Sequence, residues 1–199
     1  MSVPRCRSRN VVLREEVEPS AVRAVADRNG WIFFAQVERD PERGIFYEVR
    51  WNVPDGGTMH YIIDEVADCV YVVARHDDCA TAERAVGEVA RQLPSWTLEE
   101  MLHDFDVSIY PAGWERALLR LGAGAPVQEN EEVVIRVRES VQHKEAAVRR
   151  AAVWAMVYTE WPVFRDVLAS VAETDSDTEV ARAAALAAEQ FDLARRTEQ

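Results

Sequence analysis

The feature that most constrains the fold is the alternation of apolar residues between residues 31 and 75. Four segments carry an apolar side chain at every second position, and turn-forming residues rich in Pro, Gly and Asp separate them. A period of two is typical of half-buried β-strands, and short turns join antiparallel neighbours. The sequence therefore predicts a four-stranded antiparallel meander. Its alternating residues are Trp31, Phe33, Ala35 and Val37; Ile45, Tyr47, Val49, Trp51 and Val53; Met59, Tyr61 and Ile63; and the segment from Cys69 to Arg75.

Helical periodicity flanks this meander on both sides. Apolar residues spaced three and four apart predict helices at about 19–29, 80–93 and 97–105. A sheet with helices on one face is a two-layer α+β domain, which we expect over residues 11–108. Residues 1–10 are predicted to be a flexible arm, and the boundary to the second half is expected within 106–111.

The strand registers can be predicted from parity. If the apolar residues of the first two hairpins share one face, the numbers of paired residues must sum to an even value, as in Trp31 with Trp51 or Trp51 with Tyr61. The opposite face then carries a polar group of residues that includes Glu48, His60 and Asp64. A carboxylate beside an imidazole can support acid–base catalysis or metal binding. A solvated or helix-covered face with cross-strand ion pairs is the alternative that the sequence favours.

The loops at one end of the meander are strongly acidic. The turns after the first and third strands lie at the same end of an up-and-down sheet, and only Arg39 and Arg43 oppose their acidic side chains. Such an end could bind a basic partner or, weakly, a divalent cation; loops that simply keep the protein soluble are the alternative that we favour. The acidic residues are Glu38, Asp40, Glu42, Asp64, Glu65 and Asp68.

The second half carries a helical pattern with an internal repeat. Helices are predicted at 114–121, 129–141, 146–159, 162–173 and 178–194, and Val148-Arg149-Arg150-Ala151-Ala152 is loosely repeated 32 residues later as Val180-Ala181-Arg182-Ala183-Ala184. Paired helices with an acidic turn and a Val-Arg-x-Ala-Ala start resemble HEAT repeats. The resemblance covers about residues 111–194 and implies a short all-α array over 109–195 that binds proteins. The fold class expected for the whole chain is therefore α+β, with a sheet domain followed by a HEAT-like array.

Two groups in this array are candidates for contact with a partner. Arg149 and Arg150 could face a partner groove, although an arginine that stabilises the preceding turn fits the pattern equally well. Trp154, Tyr158 and Trp161 belong to an aromatic cluster that could be an exposed anchor. Packing between the helix pairs is the alternative that we favour for this cluster.

Charge and cysteine content exclude several classes of function. The net charge is −12, of which −10 lies in residues 31–110, so binding to nucleic acid or to an anionic membrane is not expected. Three irregularly spaced cysteines predict free thiols in a reducing, cytoplasmic compartment. No leader or membrane-spanning segment, metal motif or cofactor motif is recognised. A single lysine, Lys144, beside 22 arginines suggests a GC-rich bacterial genome.

Three functional hypotheses follow. The first is a non-catalytic protein–protein interaction module, whose partner is a protein that the acidic loops indicate to be basic. The second is a special case, an immunity-type inhibitor that masks the active site of a basic toxin. The third is a small enzyme that uses the face of Glu48, His60 and Asp64.

Overall fold

The structure, a computed structural model, describes residues 6–40, 46–54 and 56–197. Its contacts divide the chain into two compact units, Met1–Thr97 and Leu98–Gln199. The first unit contains a sheet with two helices, and the second is entirely helical. The α+β class is confirmed. Among the described residues, no helix has both the length and the apolar composition needed to cross a membrane.

The described part of the first unit forms a six-stranded antiparallel sheet, in the order β1-β6-β5-β4-β3, with β2 also paired to β6. The meander of β3 to β6 is confirmed, and two short strands are added to it. The strands are β1 Cys6–Arg7, β2 Val11–Val12, β3 Ile32–Val37, β4 Tyr47–Asn52, β5 Thr58–Asp64 and β6 Cys69–His76.

The N-terminal segment differs from the flexible arm predicted for residues 1–10. Residues 1–5 lie outside the described residues, but Cys6 and Arg7 pair with His76 and Arg75 of β6. Ser8 continues the attachment, because its amide donates to the carbonyl of Ala74 and its Oγ accepts from the Ala74 amide, both at 2.9 Å. Residues 6–8 are therefore fixed to the edge of the sheet.

A disulfide bond joins Cys6 to Cys79 across 73 residues of sequence. This corrects the prediction of three free thiols, which applies only to Cys69. Irregular spacing in the sequence did not reveal the pair, because only the folding of β1 against β6 brings Cys6 to the start of the following helix.

Two helices cover one face of the sheet and form its main core. Helix α1 spans Pro19–Arg28 and helix α2 spans Cys79–Gln92. Helix α2 begins after Asp78, whose carboxylate accepts from the Thr81 amide at 2.8 Å and caps the helix. The core between helices and sheet contains Val22, Val25, Val86 and Val89 from the helices and Val49, Trp51, Met59, Tyr61 and Val72 from the strands.

The predicted parity holds in the second hairpin and only partly in the first, and the two predicted pairs of Trp51 are wrong: it lies opposite Met59 instead of Tyr61, and opposite Phe33 instead of Trp31. Trp51 with Met59 and Val49 with Tyr61 still give even sums, as expected. In the first hairpin, Phe33 pairs with Trp51, but the register shifts between Phe33 and Ala35. The extra residue is a β-bulge at Phe34, and it turns the following side chains of β3 to the opposite face. Ala35 and Val37 thus lie opposite Arg50 and Glu48 instead of joining the core face.

The second unit consists of three consecutive helix pairs. Helix α3 packs on α4, α5 on α6 and α7 on α8, and α6 also contacts both α4 and α8. Because α3 packs against α4, the unit begins at Leu98, about ten residues before the predicted boundary at 108/109. The helices are α3 Leu98–Val107, α4 Pro111–Ala123, α5 Glu131–Ser140, α6 Ala146–Thr159, α7 Arg165–Thr174 and α8 Thr178–Thr197, with a 3₁₀ turn at Pro162–Phe164.

Small residues set the spacing of the stacked helices, as the alanine pattern predicts. Ala151, Ala152 and Ala155 of α6 are buried, together with Val148 and Met156. At the crossing of α4 and α6, a Cβ on Gly122 would lie 2.5 Å from the Cα of Ala155. The two backbones therefore approach so closely that only glycine fits at residue 122.

Candidate functional site

The edge of the sheet at β3, with which no described strand other than β4 pairs, exposes three consecutive apolar residues. Strand β3 is the last strand in the sheet order, and Ile32, Phe33 and Phe34 are 69%, 57% and 56% exposed. Ile32 and Phe33 lie opposite Asn52 and Trp51, so they point to different faces of the sheet, and Phe34 is the bulged residue. The strand is therefore accessible on both faces. An exposed apolar edge strand is a site at which another chain can add a strand. Sequence analysis placed Phe33 in the core and missed this surface.

The acidic loop residues gather beside this edge. Glu38 and Asp40 directly follow β3, and an ion pair between Arg39 and Glu65 joins their segment to the turn between β5 and β6. The structure thus brings the two predicted acidic segments together at one end of the meander. Glu38, Glu65 and Asp68 are exposed and Asp40 is partly buried, whereas Glu42 lies outside the described residues. We call the four described residues Glu38, Asp40, Glu65 and Asp68 the acidic cluster.

Asp64 does not contribute to the surface charge of the acidic cluster. Its side chain is buried, and its Oδ1 accepts from the amides of Val66 and Ala67 at 2.9 and 3.0 Å. The Tyr71 hydroxyl donates to the other oxygen at 3.5 Å. Burial, followed by the nearby charge of Asp64, raises the pKa of Tyr71 well above its usual value. Asp64 therefore stabilises the turn between β5 and β6.

A chain of three polar side chains lies on the sheet face opposite α1 and α2. His60 Nδ1 bonds to Glu48 Oε1 at 2.5 Å, and His60 Nε2 lies 2.6 Å from Thr58 Oγ1. His60 is only 7% exposed. The alternation predicts Glu48 and His60 on one face. Thr58, two residues before His60, shares that face by the same rule, but it precedes Met59, the first residue of the predicted strand. Asp64, the third predicted member, is engaged in its own turn.

Glu48 is held in its ionised form. Burial alone would raise the pKa of its carboxyl, but hydrogen bonds from His60 and Arg50 outweigh burial and lower the pKa from 4.5 to about 2. With Glu48 as acceptor, His60 Nδ1 carries a proton. In a neutral imidazole, Nε2 then accepts from Thr58; in an imidazolium, Nε2 donates to Thr58 Oγ1 and leaves the hydroxyl proton available to a ligand.

Arg149 is engaged inside the helical unit. Its guanidinium donates to both carboxylate oxygens of Asp175 at 2.7 and 2.8 Å, and to the carbonyls of His143 and Lys144 at 2.9 and 3.1 Å. Asp175 is only 4% exposed at its side chain. The hydrogen bond from Arg149 lowers the pKa of Asp175 despite its burial. Of the two roles that the sequence left open, the geometry matches the stabilisation of turns.

The aromatic cluster divides into a buried and an accessible part. Trp161 is buried, stacks on Phe164 with ring centres 5.9 Å apart and donates from Nε1 to the carbonyl of Val127 at 3.2 Å. Trp154 is 37% exposed and lies 6.5 Å from the partly buried ring of Tyr158. Arg150, one helical turn before Trp154, is exposed and lies 3.8 Å from Glu115. Arg150, Trp154 and Tyr158 thus form an accessible stripe on α6.

Among the described residues, no group of three or more His, Cys, Asp or Glu side chains is arranged to hold a metal ion. Comparisons of the chain with protein-family models, with curated proteins and with solved structures found no match.

Proposed function

We propose that this protein is a non-catalytic protein–protein interaction module, and that β3 binds an extended segment of a partner. The observation that carries the proposal is the free edge of β3 with its three exposed apolar residues, Ile32, Phe33 and Phe34. Soluble proteins rarely leave such an edge bare unless another chain covers it. Backbone hydrogen bonds would add the partner as a further strand, and its apolar side chains would contact the two phenylalanines.

The acidic cluster defines the chemistry of this partner. Glu38 and Asp40 continue the chain directly from β3, and Glu65 is joined to the same segment through Arg39. A segment with apolar residues opposite Ile32 to Phe34 and with Lys or Arg residues next to them complements both features. The net charge of −10 over residues 31–110 would speed the approach of such a segment.

The helical unit provides a second surface in this proposal. We interpret its three helix pairs as a short HEAT-like array, supported by the pairing of consecutive helices and the close approach of α4 and α6 at Gly122. The accessible stripe of Arg150, Trp154 and Tyr158 is then a contact surface for protein.

The expected cytoplasmic location remains a prediction, and the Cys6–Cys79 disulfide argues against a reducing compartment.

A peptide-display selection tests this function. The immobilised full chain would be offered random peptides, and the enriched sequences should share apolar residues at alternate positions with Lys or Arg residues at one end. An enriched peptide should bind at least about tenfold more weakly to Phe34→Glu, because the substitution removes an apolar contact and adds repulsion. Leu186→Glu is the matched control, since Leu186 is 54% exposed on α8. Equal losses in the two variants would contradict the assignment to β3.

The immunity-type inhibitor is a second candidate, favoured by the assembly of the acidic cluster at one end of the sheet. Such an inhibitor would use these carboxylates to cover the basic active site of a toxin. Its association with the toxin encoded by a neighbouring gene should weaken strongly with salt and should abolish toxin activity. Association without loss of toxin activity would argue for the general interaction module instead.

The hydrogen-bonded chain of Thr58, His60 and Glu48 favours a hydrolytic enzyme as the third candidate. A hydroxyl, an imidazole and a carboxylate in this order resemble the nucleophile, base and orienting acid of acyl-transfer enzymes. A fluorophosphonate probe should then label the wild type at Thr58 and fail to label His60→Gln. Absence of labelling in the wild type would remove this candidate.

A further inference from the structure

Four polar side chains form one row across the sheet face that carries His60. Arg7 of β1 lies directly opposite Arg75 of β6, Arg75 opposite Thr58 of β5, and Thr58 opposite Asn52 of β4. Directly opposed residues point to the same face, and neighbouring strands are about 4.8 Å apart, so the row spans about 15 Å. The next pair on this face is Arg50 with His60, about 7 Å farther along the strands.

This row carries positive charge that the described residues do not neutralise. Arg7 and Arg75 are both exposed, and like charges directly opposite each other destabilise a sheet. Among the described residues, neither arginine forms an ion pair, and Arg7 donates only to the neutral side chain of Asn10, at 2.9 Å. Glu48 lies on the same face but is bonded to Arg50 and His60, and among the described residues it forms no ion pair with Arg7 or Arg75.

We propose that the side chains of Arg7, Arg75, Thr58 and Asn52 form a binding site for the phosphomonoester group of a small molecule. Two guanidinium groups present planar pairs of N–H donors, the geometry that matches phosphate oxygens. The Thr58 hydroxyl and the Asn52 amide lie in the same row and supply neutral donors. The Thr58 hydroxyl is held in place by His60, whose Nε2 lies 2.6 Å from Thr58 Oγ1.

The charge of the whole chain restricts the ligand to a small one. The net charge of −12 repels an extended polyanion, whereas a single phosphate group meets only the local row of arginines. A metabolite-sized phosphomonoester therefore fits better than a nucleic acid strand.

The disulfide helps to position one of the four residues of this site. Arg7 adjoins Cys6, and the bond to Cys79 adds a covalent link to a short strand that its pairing with β6 and the hydrogen bonds of Ser8 also hold. We therefore expect the affinity for phosphate to fall when the disulfide is absent.

Titration of the oxidised full chain with inorganic phosphate at constant ionic strength tests the site, with backbone amide shifts as the signal. We expect saturation, with the largest shifts around Arg7, Thr58 and Arg75. Arg75→Gln and Arg7→Gln should each weaken binding about tenfold or more, since each removes charged hydrogen bonds to the ligand. Arg23→Gln makes the same change in charge on the exposed surface of α1 and should alter the dissociation constant less than about twofold.

Further results discriminate the proposal from its alternatives. Thr58→Val should weaken binding without changing the fold, as judged by an unaltered amide spectrum outside the row. Failure to saturate by about 10 mM phosphate, or equal weakening in Arg23→Gln, would overturn the proposal. So would tighter binding of a single-stranded oligonucleotide than of a sugar phosphate at equal phosphate concentration. Peptide binding at β3 serves as an independent readout, because it should persist in Arg75→Gln.

Discussion

Arg149 and Asp175 join two turns of the helical unit through a pair of parallel hydrogen bonds at 2.7 and 2.8 Å. Arg149 lies in the first turn of α6 and also donates to the carbonyls of His143 and Lys144 before the helix, while Asp175 follows α7. One guanidinium thus holds the turn inside the second helix pair against the turn inside the third. The arginine of the repeated sequence motif is a structural residue in this arrangement.

Replacing Asp175 by Ala should therefore destabilise the helical unit. The side chains of Arg149 and Asp175 are 11% and 4% exposed, and removing one partner of a buried pair costs about 3–5 kcal/mol. Chemical unfolding of the full chain, followed by circular dichroism, measures the loss. Arg150→Met is the control, because its 3.8 Å pair with Glu115 is half exposed and should contribute at most about 1 kcal/mol. Similar losses in the two variants would contradict the structural role of the Arg149 pair.

The ionised Glu48 predicts a specific dependence of stability on pH. The pKa of Glu48 falls from 4.5 to about 2 on folding, so its contribution is complete above about pH 4.5 and disappears as the pH falls toward 2. The difference in the free energy of unfolding between wild type and Glu48→Gln should thus be constant above pH 5 and shrink below it. Urea unfolding at several pH values measures this difference. A difference independent of pH down to 2.5 would show that Glu48 keeps an ordinary pKa.

Gly122 should not tolerate a methyl group. A Cβ added at residue 122 would lie 2.5 Å from the Cα and 2.8 Å from the Cβ of Ala155, so Gly122→Ala must push α4 away from α6. After the gain in helix propensity is subtracted, the substitution should lower the free energy of unfolding by about 1–2 kcal/mol. Gly87 in α2 provides a matched control, since nothing lies within 4 Å of the same added atom. Gly87→Ala should stabilise the protein by about 0.5–1 kcal/mol. Stabilisation by both substitutions would mean that α4 and α6 are farther apart than the structure shows.

The Cys6–Cys79 disulfide should stabilise the sheet unit measurably. It closes a loop of 73 residues, for which the loss of chain entropy in the unfolded state corresponds to about 4 kcal/mol, with 2–4 kcal/mol typical of measured cases. Thermal unfolding of the double variant Cys6→Ser, Cys79→Ser measures this effect. Cys69→Ser should change stability much less, and thiol labelling of the unfolded wild type should find one reactive cysteine.

The long elements of the fold could be predicted because their patterns are local. In β4 and β5, apolar residues alternate over several pairs of residues, and in α1, α2 and α6 they recur over several helical turns. The side chains that pack into the core have the same spacing. The gathering of Glu38 and Glu65 could also be predicted, since meander topology places alternate turns at one end.

Features that depend on a single residue or on distant partners escaped prediction. The bulge at Phe34 changes the register by one residue, which the apolar pattern does not indicate, and it turns Ala35 and Val37 away from the core face. Strands β1 and β2 are two residues long, too short for any periodicity. Thr58 escaped prediction because β5 begins one residue before Met59, where the predicted strand starts. The partnership of Arg149 with Asp175 depends on side-chain directions that spacing alone leaves open.

The most direct test of strand addition at β3 is hydrogen–deuterium exchange of the full chain with and without a peptide from the display selection. If the peptide adds a strand to the sheet, the backbone amides of β3 that face the free edge should gain protection on binding. Amides of α1 and of the helical unit should exchange as before. Protection that appears on α6 or α8 while β3 remains unchanged would contradict the account and place the binding site on the helical array.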